Sequence, residues 1–239
     1  MNSPISNLNI KIFADGADKA QMIAMNDRDY IAGLTTNPTL MKKAGITDYK
    51  AFCTDILKIV TQKPISFEVF SDDFEEMYRQ ALEISTWGRN VYVKIPITNT
   101  KAEPSKELVR KLTNRGIQVN VTALMTLEQV EDIASILNKD VPSYVSVFAG
   151  RIADTGRDPV PLMKEAVSIL STNQRAELIW ASPRELLNIY HADSIGCQVI
   201  TVTPDILMKL SLINKSLEEY SLETVKMFYQ DATSAGYKL

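Results

Sequence analysis

Eight short runs rich in Val, Ile and aromatic residues recur along the chain, separated by stretches whose apolar residues return at helical spacing. The runs are Ile10–Ala14, Ile31–Leu34, Ser66–Phe70, Val91–Ile95, Ile117–Thr122, Tyr144–Phe148, Glu177–Ala181 and Gln198–Val202. They start about 27 residues apart on average, the length of a strand, a crossover helix and two loops. The intervening segments Asp48–Val60 and Asp72–Trp87 have helical periodicity; in the first, Phe52, Ile56 and Val60 share a face. Helix ends are also readable. Thr126-x-x-Gln129 and Ser182-x-x-Glu185 have the form of capping boxes, Pro104 suits a first helical turn, and Gly116 suits the stop after Lys111–Arg115. Asp18 and Asn37 are further candidate caps. Beyond the last run, Tyr220–Tyr237 forms an extra helical segment with an apolar stripe of Leu222, Val225, Phe228 and Tyr229. Such a stripe packs on its own domain or docks on a neighbouring subunit.

Eight strand–helix units in 239 residues fit an α/β fold of the (β/α)8 TIM-barrel type, a single domain over residues 1–239 with an extra C-terminal helix. The competing architecture is an open doubly wound sheet, whose first turn usually carries G-x-G-x-x-G for phosphate. Here that turn is Asp15-Gly16-Ala17-Asp18, and the whole chain has Gly 9. The barrel is the better fit.

Alternation within the strands separates two faces, because residues two apart share a side. Ile117, Val119 and Val121 alternate with Gln118, Asn120 and Thr122; Val145 and Val147 with Tyr144, Ser146 and Phe148; Phe67 and Val69 with Ser66, Glu68 and Phe70. Val91, Val93 and Ile95 alternate with Tyr92 and Lys94, and Ile10, Ile12 and Ala14 with Lys11, Phe13 and Asp15. In a barrel the aliphatic set faces the helices, so Lys94, Glu68, Asp15, Asn120, Thr122 and Ser146 converge on the axis. An unpaired buried polar group costs roughly 1–3 kcal/mol, so several in one interior point to a polar site. A sheet solvated on one side would produce the same pattern, but sustained strand–helix alternation implies a sheet covered by helices.

Composition narrows the chemistry. Lys+Arg 26 against Asp+Glu 29 gives a formal charge of -3, without the basic field that nucleic acid or an anionic membrane would select. No run approaches the ~20 apolar residues of a membrane span, and Met1–Asn9 lacks the layout of a signal peptide. Two separated cysteines, Cys53 and Cys197, make no disulfide framework or metal knuckle and suit a reducing compartment, so the expected location is the cytoplasm. His191 is the one histidine, and it and the cysteines read as structural. Histidine triads and multi-histidine metal sites are thereby disfavoured, leaving Lys, Asp, Glu, Ser, Thr or Tyr to carry any catalysis.

Lys94 ends an aliphatic strand, Val91-Tyr92-Val93-Lys94-Ile95-Pro96. Burial disfavours an ammonium and so favours the neutral amine that attacks carbonyls. Lys94 alone does not distinguish this role from a lysine snorkelling outward or pairing with Glu68 or Asp15. Acids beside it favour imine chemistry, which needs proton donors and acceptors near the amine. Arg151 and Arg184 follow the sixth and seventh strands, at the end where barrels place active sites and often bind phosphate. Ser182 as a helix cap with Arg184 in the first turn would offer N–H groups and a guanidinium to an anion.

Taken together, Phe13-Ala14-Asp15-Gly16-Ala17-Asp18, Gly33-Leu34-Thr35-Thr36-Asn37-Pro38-Thr39, Ser66-Phe67-Glu68-Val69, Val93-Lys94-Ile95-Pro96, Asn120-Val121-Thr122-Ala123-Leu124, Phe148-Ala149-Gly150-Arg151-Ile152 and Ala181-Ser182-Pro183-Arg184 resemble the transaldolase family. The resemblance runs from Lys11 to about Leu207 and is similar to the compact subfamily that includes fructose-6-phosphate aldolases. It implies a (β/α)8 Schiff-base enzyme with no cofactor and no metal. Lys94 matches the Schiff-base lysine, Asp15 the carboxylate that handles the C4 hydroxyl proton, and Glu68 with Thr122 the pair that holds a catalytic water. Asn37, Asn120 and Ser146 match residues binding the dihydroxyacetone part, and Arg151, Ser182 and Arg184 the phosphate site. Glu68 and Phe148 resemble the transferase branch, since the aldolase branch has Gln and Tyr there. Pro183 departs from the family, which usually has an aromatic after the serine.

The resemblance thus implies transfer of a dihydroxyacetone unit between sugar phosphates such as sedoheptulose 7-phosphate and fructose 6-phosphate. That chemistry belongs to the pentose phosphate pathway of carbohydrate metabolism and would be carried out by a homo-oligomer. The alternatives are an aldolase that releases free dihydroxyacetone and a sugar-phosphate-binding barrel that has lost catalysis.

Overall fold

The computed structural model describes Ile5 and residues 7–239, so part of the Met1–Asn9 segment lies outside the described residues. Eight parallel strands close into a barrel in chain order: β1 Lys11–Asp15, β2 Ile31–Thr35, β3 Ile65–Glu68, β4 Val91–Pro96, β5 Val119–Leu124, β6 Ser143–Val147, β7 Ala176–Trp180 and β8 Val199–Val202. Helices α1 Lys19–Asn26, α2 Pro38–Lys43, α3 Tyr49–Leu57, α4 Phe74–Ser85, α5 Lys106–Thr113 and α6 Leu127–Ala134 wrap the first strands. They are followed by α7 Ala149–Asp154, α8 Pro159–Leu170, α9 Leu187–Ser194, α10 Pro204–Leu207 and α11 Leu217–Ser234. Each expected strand is present, with ends displaced by at most two residues, the usual scatter of pattern-based boundaries.

Several helix starts follow from their caps. Asp18, Asn37, Asp48 and Asp73 each accept a backbone N–H three residues on, and Thr126 with Gln129 forms the full reciprocal box. Two expected ends are corrected. Pro104 does not open α5; it bridges back to Thr98, and Ser105 precedes the helix. Ser182 does not cap α9, which begins only at Leu187.

The aliphatic parity set packs against the helices: Ile12, Leu34, Phe67, Val93, Val121, Val145, Leu178 and Ile200 join one continuous core between sheet and helices. The inward set divides along the axis. At the N-terminal rim Lys11 pairs with Glu177 at 2.5 Å. Above it Phe13, Tyr92, Tyr144, Ile179, Ala181 and Val199 fill the interior, with Phe13 edge-on to Tyr144 and Tyr92 at 4.4 Å from the same ring. Gly33 belongs here for lack of a side chain, since a Cβ would lie 2.6 Å from the Phe13 ring. This plug separates the rim pair from the inward polar residues of the C-terminal half of the barrel, the end where barrel enzymes work.

Helix α11 is as long as the segment expected but lies three residues earlier, beginning at Leu217. None of its residues is buried, and Leu217, Phe228 and Tyr229 are 83%, 63% and 75% exposed. Its apolar stripe therefore does not pack on its own barrel.

Candidate active site

Parallel pairing brings the chemistry-bearing side chains into register. Glu68 lies opposite Lys94, Lys94 opposite Asn120, Pro96 opposite Thr122, and Asp15 opposite Thr35. Lys94 is 6% exposed, and its Nζ lies 3.2 Å from Glu68 Oε2 and 3.2 Å from the Thr36 carbonyl oxygen. The carbonyl of Glu68 in turn accepts the Tyr49 hydroxyl at 2.7 Å, tying the end of β3 to α3. A buried lysine with one carboxylate and one carbonyl is held in place, which snorkelling would not achieve.

Asp15 is half-buried at the end of β1 and accepts the Thr35 hydroxyl at 2.8 Å. Burial is the largest influence on its carboxyl and raises its pKa. Lys94 and the Thr35 hydroxyl pull it back, while Glu68 adds to the rise. Two acids and one amine thus share a field in a largely buried site, an arrangement that serves proton transfer.

A second buried group crosses β3, β5 and β6. Ser146 donates to Asn120 Oδ1 at 2.7 Å, and Asn120 Nδ2 donates to Ser66 Oγ at 3.0 Å. Thr122 Oγ1 is fully buried without a hydrogen-bond partner, as is Thr36 Oγ1. Both hydroxyls leave hydrogen-bonding capacity free, Thr36 being the residue whose carbonyl meets Lys94 and Thr122 lying on the strand paired with that of the lysine. The β5–β6 ladder skips from Val121 to Leu124 just past Thr122, and Ala123 takes φ 68°, so the strand breaks its pleat at this point. Asn37 is committed on one side: its Oδ1 caps α2 by accepting the Leu40 N–H at 3.0 Å.

At the mouth, Phe148 precedes α7 with the Arg151 guanidinium 5.4 Å from its ring. Arg184 is engaged by Asp154, through Nε to Oδ1 at 2.9 Å and through Nη2 to Oδ2. The pair holds the Asp154 carboxyl below the ordinary aspartate range. Ser182 adopts φ 59°, and a Cβ on Gly150 would lie 1.6 Å from its carbonyl oxygen, so the 181–184 backbone lies directly on α7. The expected Ser182 cap, with Arg184 in a first helical turn, is corrected accordingly. Asn188 Oδ1 accepts the N–H groups of Arg184 and Glu185 instead, and Pro183 lies in the irregular segment before α9. A capping motif was overridden by tertiary contact.

Sequence reasoning assigned no role to Thr35, Thr36, Thr201 or Tyr49. Thr201 is the lone polar residue of β8 and shares its inward side with Val199, so parity could have found it. The carbonyl of Thr36 and the hydroxyl of Tyr49 leave no sequence signal. Among the described residues no group of three or more His, Cys, Asp or Glu side chains is gathered to hold a metal ion.

The family model described as transaldolase/fructose-6-phosphate aldolase matches residues 12–239. The chain belongs to the transaldolase/fructose-6-phosphate aldolase family. Among its relatives, a "Probable transaldolase" of Thermoanaerobacter sp. (strain X514) is 33% identical over 231 residues, covering 96% of this chain and 100% of that protein. Another "Probable transaldolase", of Dehalococcoides mccartyi, is 34% identical over 202 residues, covering 84% and 90%. The fold of this family member also resembles a Burkholderia cenocepacia J2315 crystal structure bearing a lyase/mutase name, with TM-score 0.59, 11% identity and coverage of 87% and 82%. At that identity the likeness concerns the barrel alone. The family's members are transaldolase-type enzymes by name, and the lysine–carboxylate constellation of this chain sits where barrel enzymes carry their sites.

Proposed function

We propose that the protein is a transaldolase working through a Schiff base on Lys94. The observation that carries this reading is the Lys94 amine, buried in the barrel between the Glu68 carboxylate and the Thr36 carbonyl and within the field of Asp15. Neutral Lys94 attacks C2 of a ketose phosphate. Glu68, with a water held at Thr122, carries protons as the carbinolamine loses water to give an iminium. Asp15 takes the C4 hydroxyl proton, the O–H electron pair forms the aldehyde, and the C3–C4 pair flows into the iminium to leave an enamine. The aldose phosphate departs. The enamine then attacks a second aldehyde, and hydrolysis frees the new ketose and the amine. Asn37, Asn120 and Ser146 hold the dihydroxyacetone hydroxyls, Phe148 and Arg151 line the mouth, and Ser182 and Arg184 meet the phosphate.

Lysine itself supplies the electron sink, so this route needs neither cofactor nor metal. Sedoheptulose 7-phosphate and fructose 6-phosphate are the donors proposed, in the pentose phosphate pathway. The buried free thiols Cys53 and Cys197 support a cytoplasmic setting. We further propose a homo-oligomer in which α11 docks on a second copy of the chain, supported by its wholly uncovered apolar stripe.

Borohydride reduction in the presence of fructose 6-phosphate should add a dihydroxyacetone unit to Lys94 in the wild type, and nothing in Lys94→Met. Absence of any adduct on the wild type would point instead to a binding barrel. With the adduct formed, rapid release of dihydroxyacetone without an acceptor aldehyde would overturn the transferase in favour of the aldolase.

A further inference from the structure

Three strands, two consecutive in the chain and the third joined to them by closure of the barrel, bring Asp15, Thr35 and Thr201 together. β1 pairs with β2 on one side and with β8 on the other. The Thr35 hydroxyl lies 2.8 Å from Asp15 Oδ1, and its oxygen is in hydrogen-bond contact with that of Thr201. Both threonines are buried, at 3% and 6% exposure, so water does not compete for their hydroxyls.

Counting hydrogens fixes the direction of this chain. A threonine hydroxyl has one hydrogen. When Asp15 is ionised, the Thr35 hydrogen must point at the carboxylate, so the Thr201 hydroxyl is the donor in the Thr35–Thr201 contact. That donation occupies a Thr35 lone pair and strengthens the bond Thr35 makes onward. With Thr35 on Oδ1, the other carboxylate oxygen is left to accept a proton. The charged groups that act on Asp15 from other strands of the barrel are Lys94 on β4 and Glu68 on β3, of opposite sign.

We propose that Thr201 is a positioning residue for the aldol step: by donating to Thr35 it commits the Thr35 hydrogen to Asp15 Oδ1 and makes Oδ2 the atom that takes the C4 hydroxyl proton. This rests on the Schiff-base reading above. It separates two stages of the reaction, since imine formation at Lys94 does not use Asp15 whereas C3–C4 cleavage does. Removing the Thr201 donor weakens the Thr35–Asp15 bond, leaves the carboxylate less stabilised, and moves protonation of Asp15 to higher pH.

The test compares wild type, Thr201→Val and Thr201→Ser by two measurements. One is borohydride trapping of dihydroxyacetone itself, which forms the imine without breaking a carbon–carbon bond. The other is kcat against pH for fructose 6-phosphate with erythrose 4-phosphate as acceptor. In Thr201→Val, trapping should match wild type, while kcat at the optimum falls several-fold and the acid limb moves up by about half a pH unit, roughly a threefold effect. Thr201→Ser should restore both. If the valine variant does not fold, Thr201→Ala carries the same expectation. An unmoved acid limb in a variant that traps normally overturns the positioning role, as does a parallel loss of trapping and turnover that serine does not restore. A wild type that traps nothing overturns the Schiff-base reading instead.

Discussion

Gly150→Ala should both destabilise the protein and damage the anion site proposed for it, although the substitution adds one methyl group to a helix. On helix propensity alone it would stabilise α7 by up to about 1 kcal/mol. The structure predicts the opposite sign. The new Cβ would lie 1.6 Å from the Ser182 carbonyl oxygen and 2.7 Å from its carbonyl carbon, and 3.3 Å from Arg184 Nε. The closest approach is about 2 Å short of an ordinary contact, and both near atoms are backbone, so no rotamer change relieves it. Segment 181–184 must move outward. That strains the Gly150 N–H to Ala181 carbonyl contact, the pairing of Arg184 with Asp154, and the Asn188 bonds that hold the segment. Overpacking of this kind costs typically 1–3 kcal/mol, which for a chain of this size lowers Tm by about 2–12 °C. An anion site displaced by an ångström or more should raise KM for phosphorylated donors at least tenfold, with trapping of unphosphorylated dihydroxyacetone on Lys94 retained. Calorimetry on Gly150→Ala beside Gly16→Ala, where a Cβ would meet nothing within 4 Å, isolates the steric effect. A Gly150→Ala protein with wild-type or raised Tm and unchanged KM would falsify the close packing of the Ser182 segment on α7.

Three further outcomes follow from the same geometry. Asp15→Asn should lower the rate of ketose cleavage by a factor on the order of 10²–10⁴ yet raise thermal stability at pH 8; because burial raises the Asp15 pKa above 3.8, the folded state favours its neutral form and loses that advantage as pH rises through the folded value, so the gain should vanish below about pH 4 in pH-resolved unfolding curves. Gly33→Ala should destabilise by about 1–3 kcal/mol through the Phe13 ring, and adding Phe13→Leu should recover part of that loss, giving a coupling of 0.5 kcal/mol or more in a urea double-mutant cycle on the order typical of touching residues. Truncation after Asn214 removes α11 and its flanks but no buried side chain, so Tm of the isolated barrel should change by less than about 4 °C, while light scattering reports loss of any assembly that α11 supports.

Much of this fold could be read from alternation because each strand meets two different surroundings. Ile12, Val93, Val121 and Val145 are aliphatic where they meet helices, and their neighbours Asp15, Lys94, Asn120 and Ser146 are polar where they face the axis. What alternation does not carry is the depth along the axis. Phe13, Tyr92 and Tyr144 share the inward side with those polar residues, and their plug shows only once register sets them at one level. Contacts between distant segments were similarly hidden. Ser182-x-x-Glu185 has the composition of a capping box, but Ser182 packs on Gly150 in a left-handed backbone conformation, and Asn188 accepts the N–H groups of Arg184 and Glu185. Arg184 reads as a free guanidinium until Asp154, a turn of helix beyond Arg151, is seen to hold it. The lone threonine of β8 gained meaning only from the strand beside it.

Closure of β8 onto β1 also bears on how the polypeptide comes into being on the ribosome. Asp15 is translated before every later strand, but Thr201, which lies across the final seam from it, is translated after the other seven strands. Until then the nascent sheet has two unpaired edges, the state most open to sticking to other chains. No partial product of translation can hold the carboxylate as the finished barrel does, so the first of the proposed catalytic groups to be synthesised waits on one of the last strands.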